Sequence, residues 1–206
     1  LSYPASYDTV MAVGAVDESG RHAEFSQFTP QVEIAGPGEA ILSTVAGDGR
    51  LGSLTVGGTT WANDRVAPQT HFVQSGGSYV VQDVNGSASG VLSQCTWSGS
   101  SYNCSNVAGN ICIAPRLLKP GDIVHVPRND NQKGSNYPEI NPAKACADAG
   151  ASGVVVYSDS SRPGLQNPFL VDATNAVDVP TVSVNRALGL ELASRIGQSA
   201  SLSVSA

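Results

Sequence analysis

Residues 10–16 read VMAVGAV, with no polar side chain and three valines. An unbroken apolar run, instead of alternation, is the pattern of a strand buried on both faces of a parallel sheet. Such a strand needs neighbouring strands beside it and helices above and below. The first 45 or so residues add a Pro-Gly turn at Pro37 and Gly38 and no clear helix. So small a segment buries too little apolar surface to offset the entropy of ordering it, and it is expected to depend on further chain for its core.

The character of the sequence changes after this segment. Residues 49–110 are rich in Gly, Ser and Thr, and short runs such as Leu54-Thr55-Val56 and Tyr79-Val80-Val81 predict strands joined by turns. Residues 111–113 and 123–126 predict further short strands. Asn141 before Pro142 predicts an N-cap and first helical residue, and Ala143, Cys146, Ala147 and Gly150 then follow helical spacing. Residues 153–157 (GVVVY) read as a buried strand, and residues 181–184 as another, opened by Pro180. Leu188, Leu192 and Ile196 predict a second amphipathic helix stopped by Gly197.

Composition narrows the function classes. The net charge of −6, without a Lys/Arg cluster interleaved with aromatics, removes the electrostatic source of nucleic-acid binding. No apolar stretch approaches the roughly 20 residues that span a bilayer. With 22 glycines and 14% charged residues, the chain suits one or two compact, turn-rich domains.

Three pieces of the first segment carry a family resemblance. YPASYDTVMAVGAV, then FSQF, then AGPGEAILST stand in the order and at the spacing of the late catalytic core of secreted subtilisin-like serine proteases of the proteinase K and subtilisin type. In that family the catalytic Asp, the catalytic His and the oxyanion Asn precede this stretch, and the nucleophilic Ser lies in a GTSMA-like segment after it. None of those segments is in the 206 residues. The resemblance therefore implies an excerpt of an endopeptidase, inactive alone, whose triad lies outside this chain. It also implies that Ser2, Tyr3 and Ala5 line the substrate pocket.

A second resemblance lies downstream. NICIAPR, KACADAGASGVVVYSD and VPTVSVNRALGLELASRIG look like a protease-associated domain: an apolar strand ending in Arg, a Lys-bearing helix running into AGAxGVIIY, and an IPxVSI strand before a helix. The match is good over residues 109–206 and loose over 49–108. Where the family has a short connection after the Arg, this chain carries a long one, so either Arg116 or Arg128 takes the usual place. The implied architecture is α+β: a fragment of the subtilisin α/β parallel-sheet core over residues 1–48, then an inserted, mostly β protease-associated domain with two or more short helices over 49–206. Such domains are inserted between the catalytic His and Ser of subtilases. The ends of the insert, near Val45 and Ala206, should then lie close together.

In a chain resembling secreted proteases, four cysteines without C-x-x-C or Cys/His zinc spacing read as two disulfides. Three pairings are possible. Cys95 with Cys104, a local loop, and Cys112 with Cys146, a strand residue and the buried face of the following helix, are favoured over the others.

Several other signals carry no chemistry. Gly47, Gly49 and Gly52 spell G-x-G-x-x-G, but a strand-like SLTVGG follows where a phosphate site needs a helix. Asn129, Asn131 and Gly134 imitate a calcium loop with Lys133 at a ligand position. His22, His71 and His125 have no convincing local partner, and Asn85 and Asn103 head short, common glycosylation acceptor motifs.

The family resemblance does imply one calcium site, from the backbone carbonyls of Asp8 and Val10 and the carboxylate of Glu33, where relatives commonly have Asp. An exposed Glu in an acidic chain is the competing reading of Glu33. Taken together, the sequence is read as part of a secreted endopeptidase acting on protein or peptide substrates with the remainder of its catalytic domain, and with neither nucleic acid nor membrane as partner. The alternative is a non-catalytic protein-interaction module.

Overall fold

The computed structural model describes residues 4–23, 26–38, 41, 49–82, 84–116, 140–160, 163–165, 169–172 and 177–205. The chain divides into two compact units, Leu1–Thr44 and Val45–Ala206. The expected strand at residues 123–126, the loop around Asn129 to Gly134, Arg128 and His125 lie outside the described residues, as does the stretch 42–48 that holds the expected domain boundary.

In the first unit, strand β1 (Ala12–Val16) pairs in parallel with β2 (Val32–Pro37), with Val13 opposite Ile34 and Val16 opposite Pro37. The apolar run thus forms the parallel strand its composition predicts. Its coverage is one-sided: Ala12 is buried, while Met11 and Val13 are each 65% exposed. Pro37 belongs to β2 itself, and Gly38 donates its N–H to Val16 O at 3.0 Å. The turn after β1 is held by Asp17, whose Oδ1 accepts from the N–H groups of Ser19 (2.8 Å) and Arg21 (2.9 Å). These donors, led by the Arg21 amide, hold the Asp17 carboxyl below its ordinary value.

The second unit opens with the hairpin β3 (Leu51–Val56) and β4 (Thr59–Ala62), followed by a 3-10 turn (Asn63–Arg65) and β5 (Ala67–Pro68). A second hairpin follows, β6 (Thr70–Ser75) and β7 (Ser78–Val81), then the long β8 (Gly86–Trp97), β9 (Tyr102–Ser105) and β10 (Ile111–Pro115). Next come α1 (Ile140–Asp148), β11 (Gly153–Tyr157), β12 (Phe169–Asp172), β13 (Thr181–Val184), α2 (Arg186–Ala193) and β14 (Ser199–Ser205). Both hairpin turns are Gly-Gly with both residues at positive φ (Gly57, Gly58; Gly76, Gly77), as a two-residue turn matched to strand twist requires.

The main sheet runs β4-β3-β14-β8-β10-β11-β13-β5, with β9 paired beside β8. Strand β8 joins two kinds of sheet. Its first half pairs antiparallel with β14, while Leu92, Ser93 and Gln94 pair in parallel with β10. At the changeover sits Gly90, where a Cβ would come within 2.7 Å of Asn110 Oδ1. Asn110 uses that space: its Oδ1 accepts from Val91 N at 3.0 Å and its Nδ2 donates to Asn106 O at 2.9 Å.

Strands β10 and β11 are buried on both faces, which explains their unbroken apolar sequences. Ile111, Ile113 and Val155 pack in one cluster with Leu188 and Leu192 of α2. Cys112, Ala114, Val154 and Val156 pack in the other with Ala143 and Cys146 of α1. The two helices therefore cover opposite faces, and each presents the face that its spacing predicts. Two helix bounds differ from expectation. Asn141 lies inside α1, because the helix starts at Ile140, and Ile196 lies beyond α2, 38% exposed in the turns leading to Gly197. Helix α2 is capped by Asn185, whose Oδ1 accepts from Leu188 N.

Strand β14 pairs antiparallel with β3 across its whole length, placing Ser205 opposite Leu51. The first and last strands of this unit are therefore neighbours. Just before β3, Arg50 ties the entry point down by donating to Gln69 O and Val84 O (both 2.6 Å) and to Asn85 Oδ1 (2.8 Å). At the other side, Gln69 is buried against β13, with its Nε2 donating to Ser183 Oγ and its N–H to Thr181 O at 2.9 Å.

Two disulfides, Cys95–Cys104 and Cys112–Cys146, are present. The first joins residues directly opposite on β8 and β9, and the second ties β10 to α1. On the chain-entropy account their removal costs about 3 and about 4 kcal/mol respectively. Non-reducing peptide mapping should recover these two linked pairs, and Cys112→Ala/Cys146→Ala should lower stability more than Cys95→Ala/Cys104→Ala. The reverse order would contradict this assignment.

Tyr102 supplies a pH-dependent test of the same region. Its hydroxyl donates to Pro115 O at 2.8 Å, tying β9 to the end of β10. Burial, helped by nearby Tyr157, raises its pKa well above the ordinary 10.0. The unfolded chain therefore ionises at lower pH than the folded one. Stability from the neutral phenol is complete below pH 10 and is lost as pH rises from there toward the folded value, by at most about 1.4 kcal/mol per pH unit. Above pH 10 the wild type should lose stability more steeply than Tyr102→Phe; parallel curves would rule out this role.

Candidate functional site

In the first unit, Ala5, Asp8, Val10 and Glu33 are the selected residues that fall among those described. Ser2 and Tyr3 lie outside the described residues. Ala5 is half-buried and, with Ser6, borders a cleft of about 370 Å³ walled by Ala12, Gly14, Ser26 and Gly36. Ser26 connects the FSQF segment to this strand, since its Oγ accepts from Ala15 N at 2.8 Å. His22 has a structural role here: its Nε2 lies 3.1 Å from Ser26 O, and its ring meets Phe28 edge-on at 5.3 Å.

Asp8 and Val10 sit exposed in the turn before β1. Glu33, also exposed, is adjacent in register to Ala12, and its Oε1 accepts from Ala12 N at 3.4 Å. The carboxylate is thus at the entrance of β1, two residues along the chain from Val10.

The second unit holds a cleft of about 490 Å³ at the carboxyl ends of the parallel strands, bordered by Trp97, Arg116, Tyr157, Asp159, Ser160 and Arg186. Crevices at that end of a parallel sheet are where side chains from successive loops converge. Arg116, the residue after β10, and Asp159, two residues after β11, form an ion pair at 3.7 Å with side chains 6% and 7% exposed. Arg186 reaches over from the start of α2, its Nη1 donating to Ser158 O at 3.4 Å. Burial raises the Tyr157 pKa, and the Arg186 guanidinium opposes that shift. Among the described residues the cleft carries two guanidinium groups and one carboxylate, with Trp97 38% exposed at its edge.

Sequence reasoning reached only Arg116 of this set. Asp159, Arg186 and Trp97 stand in different loops, and their common feature is position at a strand's carboxyl end, a signal available once the strands were assigned. No histidine borders the cleft among the described residues. The arrangement can bind, through charge-assisted hydrogen bonds and aromatic contact, and no serine–histidine pair stands in it among the described residues.

Two family profiles match the chain, and their ranges overlap over residues 76–117. The subtilase family profile matches residues 1–117, and the PA domain profile matches residues 76–192. Among solved structures, the psychrophilic subtilisin-like protease Apa1 from the Antarctic psychrotroph Pseudoalteromonas sp. AS-11 is similar, with a TM-score of 0.80 and 50% identity, over 98% of this chain and 44% of that one. A thermostable alkaline protease of Halalkalibacterium halodurans is 44% identical over 75 residues, 36% of this chain and 20% of that protein. The halolysin-like extracellular serine protease Nep of Natrialba magadii is 48% identical over 48 residues, 23% of this chain and 9% of that protein. The chain thus spans less than half the length of each of these relatives. With more than half of its residues matched by the family profile, the chain belongs to the subtilase family and carries a PA domain.

Proposed function

We propose that this chain is part of a secreted subtilisin-like serine endopeptidase, in which the PA unit controls how protein substrates reach a catalytic centre built elsewhere in the enzyme. The observation that carries the reading is the pairing of Leu51 with Ser205, which brings the first and last strands of the second unit together as an insert in a host loop requires. The host would hydrolyse peptide bonds through a Ser/His/Asp triad, with His taking the serine proton and Asp orienting the imidazole. The PA unit contributes no reacting group to that chemistry. Its part is to bind or exclude, and the cleft edged by Arg186 and Trp97 suits an acidic or C-terminal carboxylate of a polypeptide. Two disulfides support secretion.

The test separates bulky substrates from small ones. In the whole enzyme, deletion of residues 49–206 should change kcat/KM for a folded protein far more than for a short chromogenic peptide, and Arg186→Ala should move the ratio in the same direction by a smaller factor. This chain alone should hydrolyse neither. Equal ratios in a folded deletion variant would make the PA unit a stability element only. The same cleft favours a second reading, in which the unit docks a partner and leaves substrate access untouched; a partner-dependent rate with an unchanged ratio would select it.

For the first unit we propose a structural calcium ion held by the carbonyls of Asp8 and Val10 and by the Glu33 carboxylate. Stapling the turn to β2, it would stabilise the strand entrance without entering the reaction. Chelation should lower the Tm of the whole enzyme, and Glu33→Ala should remove that shift. An undiminished shift in the variant would place the ion elsewhere.

A further inference from the structure

The four cysteines come from four elements, β8, β9, β10 and α1, and the sulfurs of Cys95, Cys112 and Cys146 crowd together with Cys104 bonded at the edge of the group. Cys95 Sγ lies 3.5 Å from Cys112 Sγ and 3.7 Å from Cys146 Sγ, across the boundary between the two disulfides. The sulfurs of Cys95, Cys112 and Cys146 all lie within 4.8 Å of one another, and all three residues are buried. Cys104, bonded to Cys95, is the exposed member.

Two separate bridges need no such contact, and between Cys95 and Cys112 it does not mark an alternative bridge. Cys112 stands opposite Ser93 on the neighbouring strand, two residues from Cys95. A Cys95–Cys112 bridge would then span about 8 Å between Cα atoms, beyond the roughly 7 Å that a disulfide reaches. A tetrahedral thiolate site is more tolerant. With metal–sulfur bonds of about 2.3 Å, its sulfurs stand about 3.8 Å apart, close to the two separations seen between the bridges.

We propose that the reduced form of this PA unit binds one thiophilic divalent ion, of the zinc class, through Cys95, Cys104, Cys112 and Cys146. A phosphine gives each bridge two electrons and becomes its oxide, with water supplying the two protons and the oxygen, while a dithiol gives electrons and protons together and closes to its own disulfide; either way four thiols result. The ion replaces the thiol protons, which pass to solvent, and the four thiolates become its ligands. Cys104 gives reductant and metal a solvent-facing entrance, while the other three sulfurs sit among Val107, Ala114, Ala143, Val154 and Val156, which exclude water from the site. The cysteines would thereby tie β8, β9, β10 and α1 together in either redox state.

The experiment uses the full 206-residue chain, reduced with a phosphine under anaerobic conditions and titrated with Co²⁺ as a spectroscopic probe. The expected result is one Co²⁺ per chain, with thiolate-to-cobalt charge transfer and the intense visible bands of tetrahedral coordination, discharged by Zn²⁺. The far-UV circular dichroism should stay that of the oxidised protein. Cys146→Ala and Cys104→Ala should each weaken binding at least about tenfold. Absence of uptake by the reduced chain would overturn the proposal. So would equal affinity in the denaturant-unfolded chain, equal affinity in the variants, or loss of the fold with Zn²⁺ present.

Discussion

The second unit depends on where its last strand goes. β14 lies between β3, the first strand of the unit, and β8, the strand that leads into the parallel region. Its alternating residues Ala200, Leu202 and Val204 point into the core with Leu54, Val56 and Trp61, while its serines face outward. A slip of one residue would turn all three apolar side chains to water, so the register is set by burial on one face. Arg195 secures the approach to β14 by lying over the Trp61 ring at 5.2 Å and pairing with Glu191 at 2.6 Å. Because β14 follows every other element in sequence and pairs with the first, the sheet closes only when the end of the unit is in place. That same pairing brings Leu51 opposite Ser205.

How far this was legible in the sequence follows from how local each signal is. GVVVY and ICIA announce strands buried on both faces, because burial on both sides removes the polar alternation. Ala143 and Cys146, and Leu188 and Leu192, announce helix faces by spacing alone. The pairing partners were not legible: nothing in SLTV or SASLSVS says that the two lie side by side across some 140 intervening residues. The switch of β8 between antiparallel and parallel neighbours was equally hidden, since its only local trace is Gly90, whose missing side chain makes room for Asn110. The cleft at the strand ends escaped for the same reason. Trp97, Arg116, Asp159 and Arg186 become one group only when four strands are laid in order.

The two units divide the functional burden along physical lines. The first contributes an apolar parallel pair and a carboxylate at its entrance, features that belong to a larger parallel sheet. The second contributes a closed domain with its own two-sided core, a cleft at the strand ends and a cross-linked sulfur centre. A buried ion pair such as Arg116–Asp159 costs desolvation on both partners and adds little net stability, so its place at the floor of a cleft makes better sense as orientation of charge than as a source of stability.

The central claim is that the first and last strands of the PA unit form one continuous, stable ladder. Native-state amide hydrogen exchange of the full chain measures this directly. The account predicts that the ladder-bonded amides along Leu51–Val56 and Ser199–Ser205 exchange as slowly as those of Ile111–Pro115 and Gly153–Tyr157, opening only with global unfolding. Exchange of the β3 and β14 amides near the rate of unstructured chain, with β10 and β11 still protected, would contradict it.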